Sequence, residues 1–178
     1  MSAIDVEIIR ATPEDSETVF GYYVKHYVFH NAGGPPDDWS INQEIMKNNI
    51  GARDDSTKFY DAFHAKDKVT GQVMGQVAYY KLFDFYYGKG IEVGQILVDE
   101  EYRGHKIGWK LMREVAKIAL ENDCYMTWYA RNWNVKGHKF YESIGAQKLK
   151  DIHSANGVHH FQFFLFTDAI EKLVKSEC

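Results

Sequence analysis

Apolar positions change period several times along this chain, and each change marks an element. Val6 to Arg10 alternates and predicts a strand. Thr12-Pro13-Glu14-Asp15 opens a helix with a capping hydroxyl, a proline and two acids. That helix should run to about Tyr27, with Val19, Tyr23 and Tyr27 on one face. The glycines and prolines of Asn31 to Pro36 end it. Ser40 to Gln43 reads as a capping box for a short helix through Asn48. Phe59 to Lys66 alternates as a strand, Asp67 to Gly71 turns, and Gln72 to Phe83 returns. Ile91, Val93, Ile96, Leu97 and Val98 make a buried-strand pattern, broken by a solvated turn at Asp99-Glu100-Glu101. The period then becomes helical at Ile107, Leu111, Val115 and Ile118, widened by Ala119 and Leu120.

The remaining chain repeats this logic. Cys124 to Ala130 is a strand, and Val135 to Ser143 a helix, with Gly145 at a left-handed cap. Ala146 to Asp151 and His159 to Phe166 pair around Ala155-Asn156-Gly157, and Thr167 caps a last helix ending near Lys175. Hairpins combined with one strand–helix–strand unit predict a mixed α+β sheet in a single domain over residues 1–178.

Composition narrows the function. With 45% hydrophobic residues among 178, the chain can bury a core. A net charge of −4 argues against a nucleic-acid partner. No apolar run reaches the length of a membrane span, and the first ten residues lack a signal-peptide core. Two cysteines, Cys124 and Cys178, suggest no disulfide framework, so a reducing, cytoplasmic setting is expected.

Candidate chemistry centres on residues 90–122. Arg103, His105 and Lys106 fall where the helix should begin. Cations there oppose the helix dipole, and a bound anion reverses that sign. The turn therefore reads as a phosphate site or as a surface turn with three chance cations.

Strand, Arg103-Gly104-His105-Lys106-Ile107-Gly108, then helix resembles the pyrophosphate loop of the GNAT N-acetyltransferases, whose pattern is Gln/Arg-x-x-Gly-x-Gly/Ala. Lys106 stands where the inner glycine belongs. That matters little if Lys106 is helical, and more if the position needs a positive φ. Trp133-Asn134, Phe140-Tyr141 and Ile144-Gly145-Ala146 resemble the family's second motif and its diamine and thialysine branch. The resemblance implies about seven mostly antiparallel strands with a splayed central pair, four to five flanking helices and acetyl-CoA as co-substrate. It implies that residues 103–108 hold the pyrophosphate, that the backbone of Ile96, Leu97 and Val98 and the Asn134 side chain hold the pantetheine arm, and that Tyr141 is the general acid. The otherwise expected role of Tyr141 is packing. Glu92 is the candidate base and amine contact; its other reading is a solvent-facing strand residue. The family's amine-contacting acid falls at Gly94, which has no acid. By the same resemblance Tyr22, Tyr27, His26, His30, Asp37, Asp38 and Trp39 are candidate amine contacts in the roof of the acceptor site; the other reading of each is a solvated or packing residue.

A small-molecule primary amine is the expected acceptor, with a non-catalytic acetyl-CoA-binding regulatory module and a protein or peptide acetyltransferase as alternatives. The branch implies a homodimer, for which the apolar run His159 to Phe166 is the candidate shared strand. His153, His159 and His160 cluster in sequence, but no cysteine or carboxylate completes a set, so no metal is expected.

Overall fold

The computed structural model describes residues 4–31, 39–153 and 157–176. Among them run β1 (Val6–Arg10), α1 (Ser16–Asn31), α2 (Gln43–Asn49), β2 (Asp61–Asp67), β3 (Val73–Asp84), β4 (Gly88–Val98), α3 (Ile107–Glu121), β5 (Tyr125–Arg131), α4 (Val135–Ser143), β6 (Gln147–His153), β7 (His159–Leu165) and α5 (Thr167–Lys175). The strand order is β1-β2-β3-β4-β5-β7-β6, a mixed α+β architecture. The described residues group into two compact units, Met1–Tyr80 with Gln95–Met112, and Lys81–Gly94 with Arg113–Cys178.

In the first unit β1, β2 and β3 pair antiparallel in chain order. The turn after β2 is built by Asp67, whose carboxylate accepts the amides of Val69 and Thr70 at 2.8 and 2.9 Å, with Gly71 at φ +72°. Ala11, Val19, Ile50 and Ala62 form a small core here. Asp61, at 1% exposure, is paired by Arg10 at 2.7 Å, which offsets the cost of burying its charge.

Three expected helix bounds change. The α1 helix continues to Asn31, because nothing before the glycines and prolines stops it. The cap of α2 is Asn42, whose side chain accepts the Ile45 amide at 3.0 Å, rather than Ser40. Thr167 lies inside α5, whose N-cap is Phe166, so its hydroxyl is not the cap.

In the second unit β4 pairs parallel with β5 over Gly90↔Tyr125 to Glu92↔Thr127 only, then runs on to Val98. Gly90 is required there, since a Cβ would lie 2.6 Å from the Tyr125 ring. The strand β7 pairs antiparallel with both β5 and β6. Phe163, Phe164 and Leu165 are therefore core residues within this chain, while Phe161 and Phe166 are half-buried. Gly145 at φ +89° ends α4, with Ala146 N–H on the Tyr141 carbonyl at 3.0 Å. The apolar stripe of α3 is buried as expected, except that Leu120 is exposed.

Candidate active site

The phosphate-site candidate lies wholly in the first unit. After β4 a 3₁₀ turn, Glu100–Tyr102, precedes Arg103, and α3 begins only at Ile107. Arg103, His105 and Lys106 thus precede the helix instead of occupying its first turn. Gly104 takes φ +86° and Lys106 φ +59°. Left-handed backbone is cheap for glycine and costs about 1–2 kcal/mol for a residue with a Cβ. Lys106 therefore stores strain, as residues at ligand-binding turns often do. The first helical acceptor is the Lys106 carbonyl, taken by Lys110 at 3.0 Å. The amides of Ile107 and Gly108 come before it in the chain, where a helix has no acceptors of its own to offer. Arg103 donates through Nε to the Val98 carbonyl at 3.1 Å, which leaves its Nη groups as donors.

Helix α1 fastens the start of this turn. Tyr22 Oη donates to Asp99 Oδ2 at 2.8 Å, and Lys25 Nζ meets Asp99 Oδ1 at 2.8 Å. Burial, with Asp99 beside it, pushes the Tyr22 phenol well above its ordinary range. Tyr22 is therefore a buried fastening residue, not an amine contact, and Asp99 is held instead of solvated. Close packing of β3 adds to this, since a Cβ on Gly75 would come within 3.0 Å of the Leu97 carbonyl.

The same contacts orient the end of β4. The Asp99 amide bonds the Met74 carbonyl at 3.0 Å, so Asp99 faces β3. Strand alternation turns Leu97 the same way and aims the amide edges of Ile96 and Val98 away from β3. Of the three residues expected to hold the pantetheine arm, Ile96 and Val98 have the suitable edge.

Aromatic residues gather further along α1. Trp39 stacks on Tyr23 at 5.0 Å and lies 4.9 Å from Tyr27. His26 and His30 approach through their Nε2 atoms at 3.1 Å. Burial, then the proximity of His30, pushes the His26 imidazole down to about 3, so it is neutral at physiological pH. Asp37 and Asp38 lie outside the described residues.

In the second unit Asn134 caps α4, its Oδ1 accepting the Gly137 amide at 3.0 Å. Gly137 is required, because a Cβ would lie 2.5 Å from Asn134 Nδ2. The cap engages the oxygen and leaves the Nδ2 amide as a donor. Tyr141, on α4, is buried among Trp128 and Phe163, with ring centroids 5.2 Å from each. Burial pushes its phenol up to about 12, so it carries its proton at neutral pH. Glu92 pairs in register with Thr127 and shares a sheet face with Tyr125 and Tyr129. Tyr141 packs on the opposite face, that of Trp128 and Phe163. Within this unit, then, Glu92 and Tyr141 are not brought together.

Two groupings escaped the sequence reading. His64 Nε2 meets Gln76 Oε1 at 2.8 Å, and Gln76 Nε2 donates to Gln95 Oε1 at 2.8 Å, all three side chains being buried. Polar residues at inward strand positions carried the only signal. Burial, opposed by the Gln76 hydrogen bond, pushes His64 below its ordinary range. The second concerns the histidine pair: Asp151 Oδ1 lies 2.6 Å from His159 Nε2 and 3.3 Å from His153 Nε2. A carboxylate thus joins the histidines, contrary to the sequence expectation, while His160 turns to the other face against Tyr129.

A model of the acetyltransferase (GNAT) family matches residues 26–146, about two thirds of the chain, and the protein belongs to that family. Among its relatives is thialysine N-epsilon-acetyltransferase of Sus scrofa, 35% identical over 92 residues, covering 51% of this chain and 52% of that protein. Another is spermidine/spermine N(1)-acetyltransferase-like protein 1 of Homo sapiens, 29% identical over 100 residues, covering 55% of this chain and 14% of that protein. The matched stretch spans about half the length of the thialysine relatives. Solved structures of the same fold include the NatC complex bound to Gag peptide and CoA, with a TM-score of 0.69 at 15% identity, covering 92% of this chain and 99% of that one. A putative acetyltransferase from Acinetobacter baylyi has a TM-score of 0.68 at 18% identity, covering 92% and 94%.

Proposed function

We propose that this protein is an acetyl-CoA-dependent N-acetyltransferase acting on a primary amine of a small molecule by direct attack in a ternary complex. The observation that carries the proposal is the backbone of residues 103–108, left-handed at Gly104 and Lys106 directly before α3. Strain at a lysine is accounted for if its curled backbone and ammonium serve an anion. The turn fits a diphosphate by its donors: Arg103 Nη groups, the His105 and Lys106 side chains, and the amides of Ile107 and Gly108.

Acetyl-CoA supplies an activated acyl group whose departing thiolate must be stabilised. The chain's own groups divide the remaining work. Ile96 and Val98 present amide edges for the arm, with Leu97 turned toward β3, and Asn134 Nδ2 donates to it. Tyr141, protonated through burial, holds the proton that the leaving sulfur needs. Glu92 lies on the strand face of Gly94, opposite to Tyr141, so as base it takes the amine's proton through water and not by direct contact at the thioester. Tyr27, His30 and Trp39 contact the acceptor, whose apolar or thialysine-like portion suits the aromatic group of Tyr23, Tyr27 and Trp39. The names of the thialysine relatives support this substrate class. The branch resemblance adds a single-domain, homodimeric, cytoplasmic protein to the proposal. Among the described residues no helix is long and apolar enough to cross a membrane.

Release of the coenzyme thiol, followed with thialysine, lysine, putrescine, spermidine, arylalkylamines and N-terminal peptides, tests the reading. Thialysine or an arylalkylamine should have the highest kcat/KM. Spermidine leading by tenfold, about 1.4 kcal/mol of transition-state binding, would move the acceptor to polyamines. A leading peptide would replace the small-molecule acceptor, and binding of acetyl-CoA without any turnover would favour the regulatory module.

A further inference from the structure

We propose that the β6–β7 hairpin binds one divalent transition metal of the zinc type through Asp151, His153 and His159. His153 and His159 are opposed across the hairpin, and Asp151 lies two residues before His153 on the same face. A register shift between Lys148 and Lys150 sets this face, so that Asp151 stands against Phe161 and beside both imidazoles. One ligand atom from each residue lies within 4.8 Å of the other two. Asp151 Oδ1 is 3.3 Å from His153 Nε2 and 2.6 Å from His159 Nε2. Tetrahedral bonds of about 2.0–2.1 Å place neighbouring ligand atoms about 3.3–3.4 Å apart. The His153 contact already has that separation, and the His159 contact reaches it by opening about 0.7 Å, within side-chain motion.

The donor set is two imidazoles and a carboxylate with no thiolate, which suits zinc, cobalt, nickel or cupric ions over cuprous ion. Binding requires Nε2 lone pairs on both histidines. In the tautomer with the proton on Nδ1, each imidazole offers its Nε2 lone pair toward the ion beside the Asp151 carboxylate. Side-chain exposures of 69% for His153 and 58% for Asp151 keep the site open to water, which completes the coordination. Strand pairing fixes all three Cα positions, so little ordering is required on binding. None of the three ligands is a residue assigned to acetyl transfer, and the site does not depend on that proposal.

Calorimetry of the full chain, stripped with chelator and titrated with zinc chloride, tests it. The expected result is saturable binding of one ion per chain. His153→Gln and Asp151→Asn should each weaken binding at least tenfold, with melting temperatures in chelator unchanged. Cobalt substituted for zinc should give visible tetrahedral bands without thiolate charge transfer. Unchanged affinity in both variants overturns the proposal. So do thiolate bands, which would put the ion on a cysteine, and so does retained one-to-one binding in His153→Gln that His26→Gln abolishes.

Discussion

Lys106 offers a test in which glycine should stabilise more than alanine. Its φ of +59° costs a residue with a Cβ about 1–2 kcal/mol. Glycine escapes that cost but loses about 0.5–1 kcal/mol through its freer unfolded chain. Lys106→Ala keeps the strain and deletes the ammonium; Lys106→Gly deletes both. Their difference isolates the backbone contribution, expected at about 0.5–1 kcal/mol in favour of glycine. For a chain of this size that is a rise in Tm of about 2 °C, read by calorimetry without coenzyme. An ordinary helical position would give the reverse order, by about 1 kcal/mol. Both variants lose the same charge, so acetyl-CoA affinity should fall alike in each, by about 1.5–3 kcal/mol if the ammonium meets a phosphate. An alanine variant melting at or above the glycine variant would refute the strain argument and with it the reason for assigning an anion to this turn.

Tyr141→Phe should cut turnover about 100-fold with coenzyme still bound, and wild-type turnover would leave Tyr141 a packing residue. Gly137→Ala should displace Asn134 from its cap, costing about 1 kcal/mol and raising the KM for acetyl-CoA; an unchanged Tm and KM would show that the side chain relocates freely. His26 and His64 titrate lower when folded than the ordinary 6.5, so the unfolded chain binds more protons below that value. Their contribution is complete above about pH 6.5 and lost on acidification, down to about pH 3 for His26, by up to about 1.4 kcal/mol per pH unit for each. Urea titrations of His64→Gln should show a shallower acid slope, and a slope equal to wild type would contradict the burial argument. Light scattering should give twice 20.6 kDa, whereas a monomer mass would remove the dimer.

Where an element carries its own start and stop signals, the sequence is explicit. The bounds of β1 and α4 follow directly from alternation and from the glycine after Ile144. The buried face of α1 consists of Ser16, Val19 and Tyr22, all early in the helix, so periodicity could not reveal its true end. Lys106 is a different case. A motif shows which residue type departs from a pattern, but φ depends on how the chain must enter α3. Long-range pairings were hidden too. The Tyr22 and Lys25 contacts with Asp99 span more than seventy positions, and the approach of Asp151 to His159 depends on a register shift. His64, Gln76 and Gln95 break the apolar pattern by which a strand is recognised.

The fastening of Asp99 by α1 has a kinetic consequence. Tyr22 and Lys25 hold Asp99, which leads into the turn proposed for the coenzyme, while Tyr23 and Tyr27, from the same helix, carry the aromatic group proposed for the acceptor. A shift of α1 on filling one site would be felt at the other, and the thermodynamic linkage would be reciprocal. Initial-rate patterns should then show each substrate altering the apparent affinity of the other, with the interaction constant returning toward unity in Tyr22→Phe. The helix proposed to recognise the amine would in that way also report whether the acyl donor has arrived.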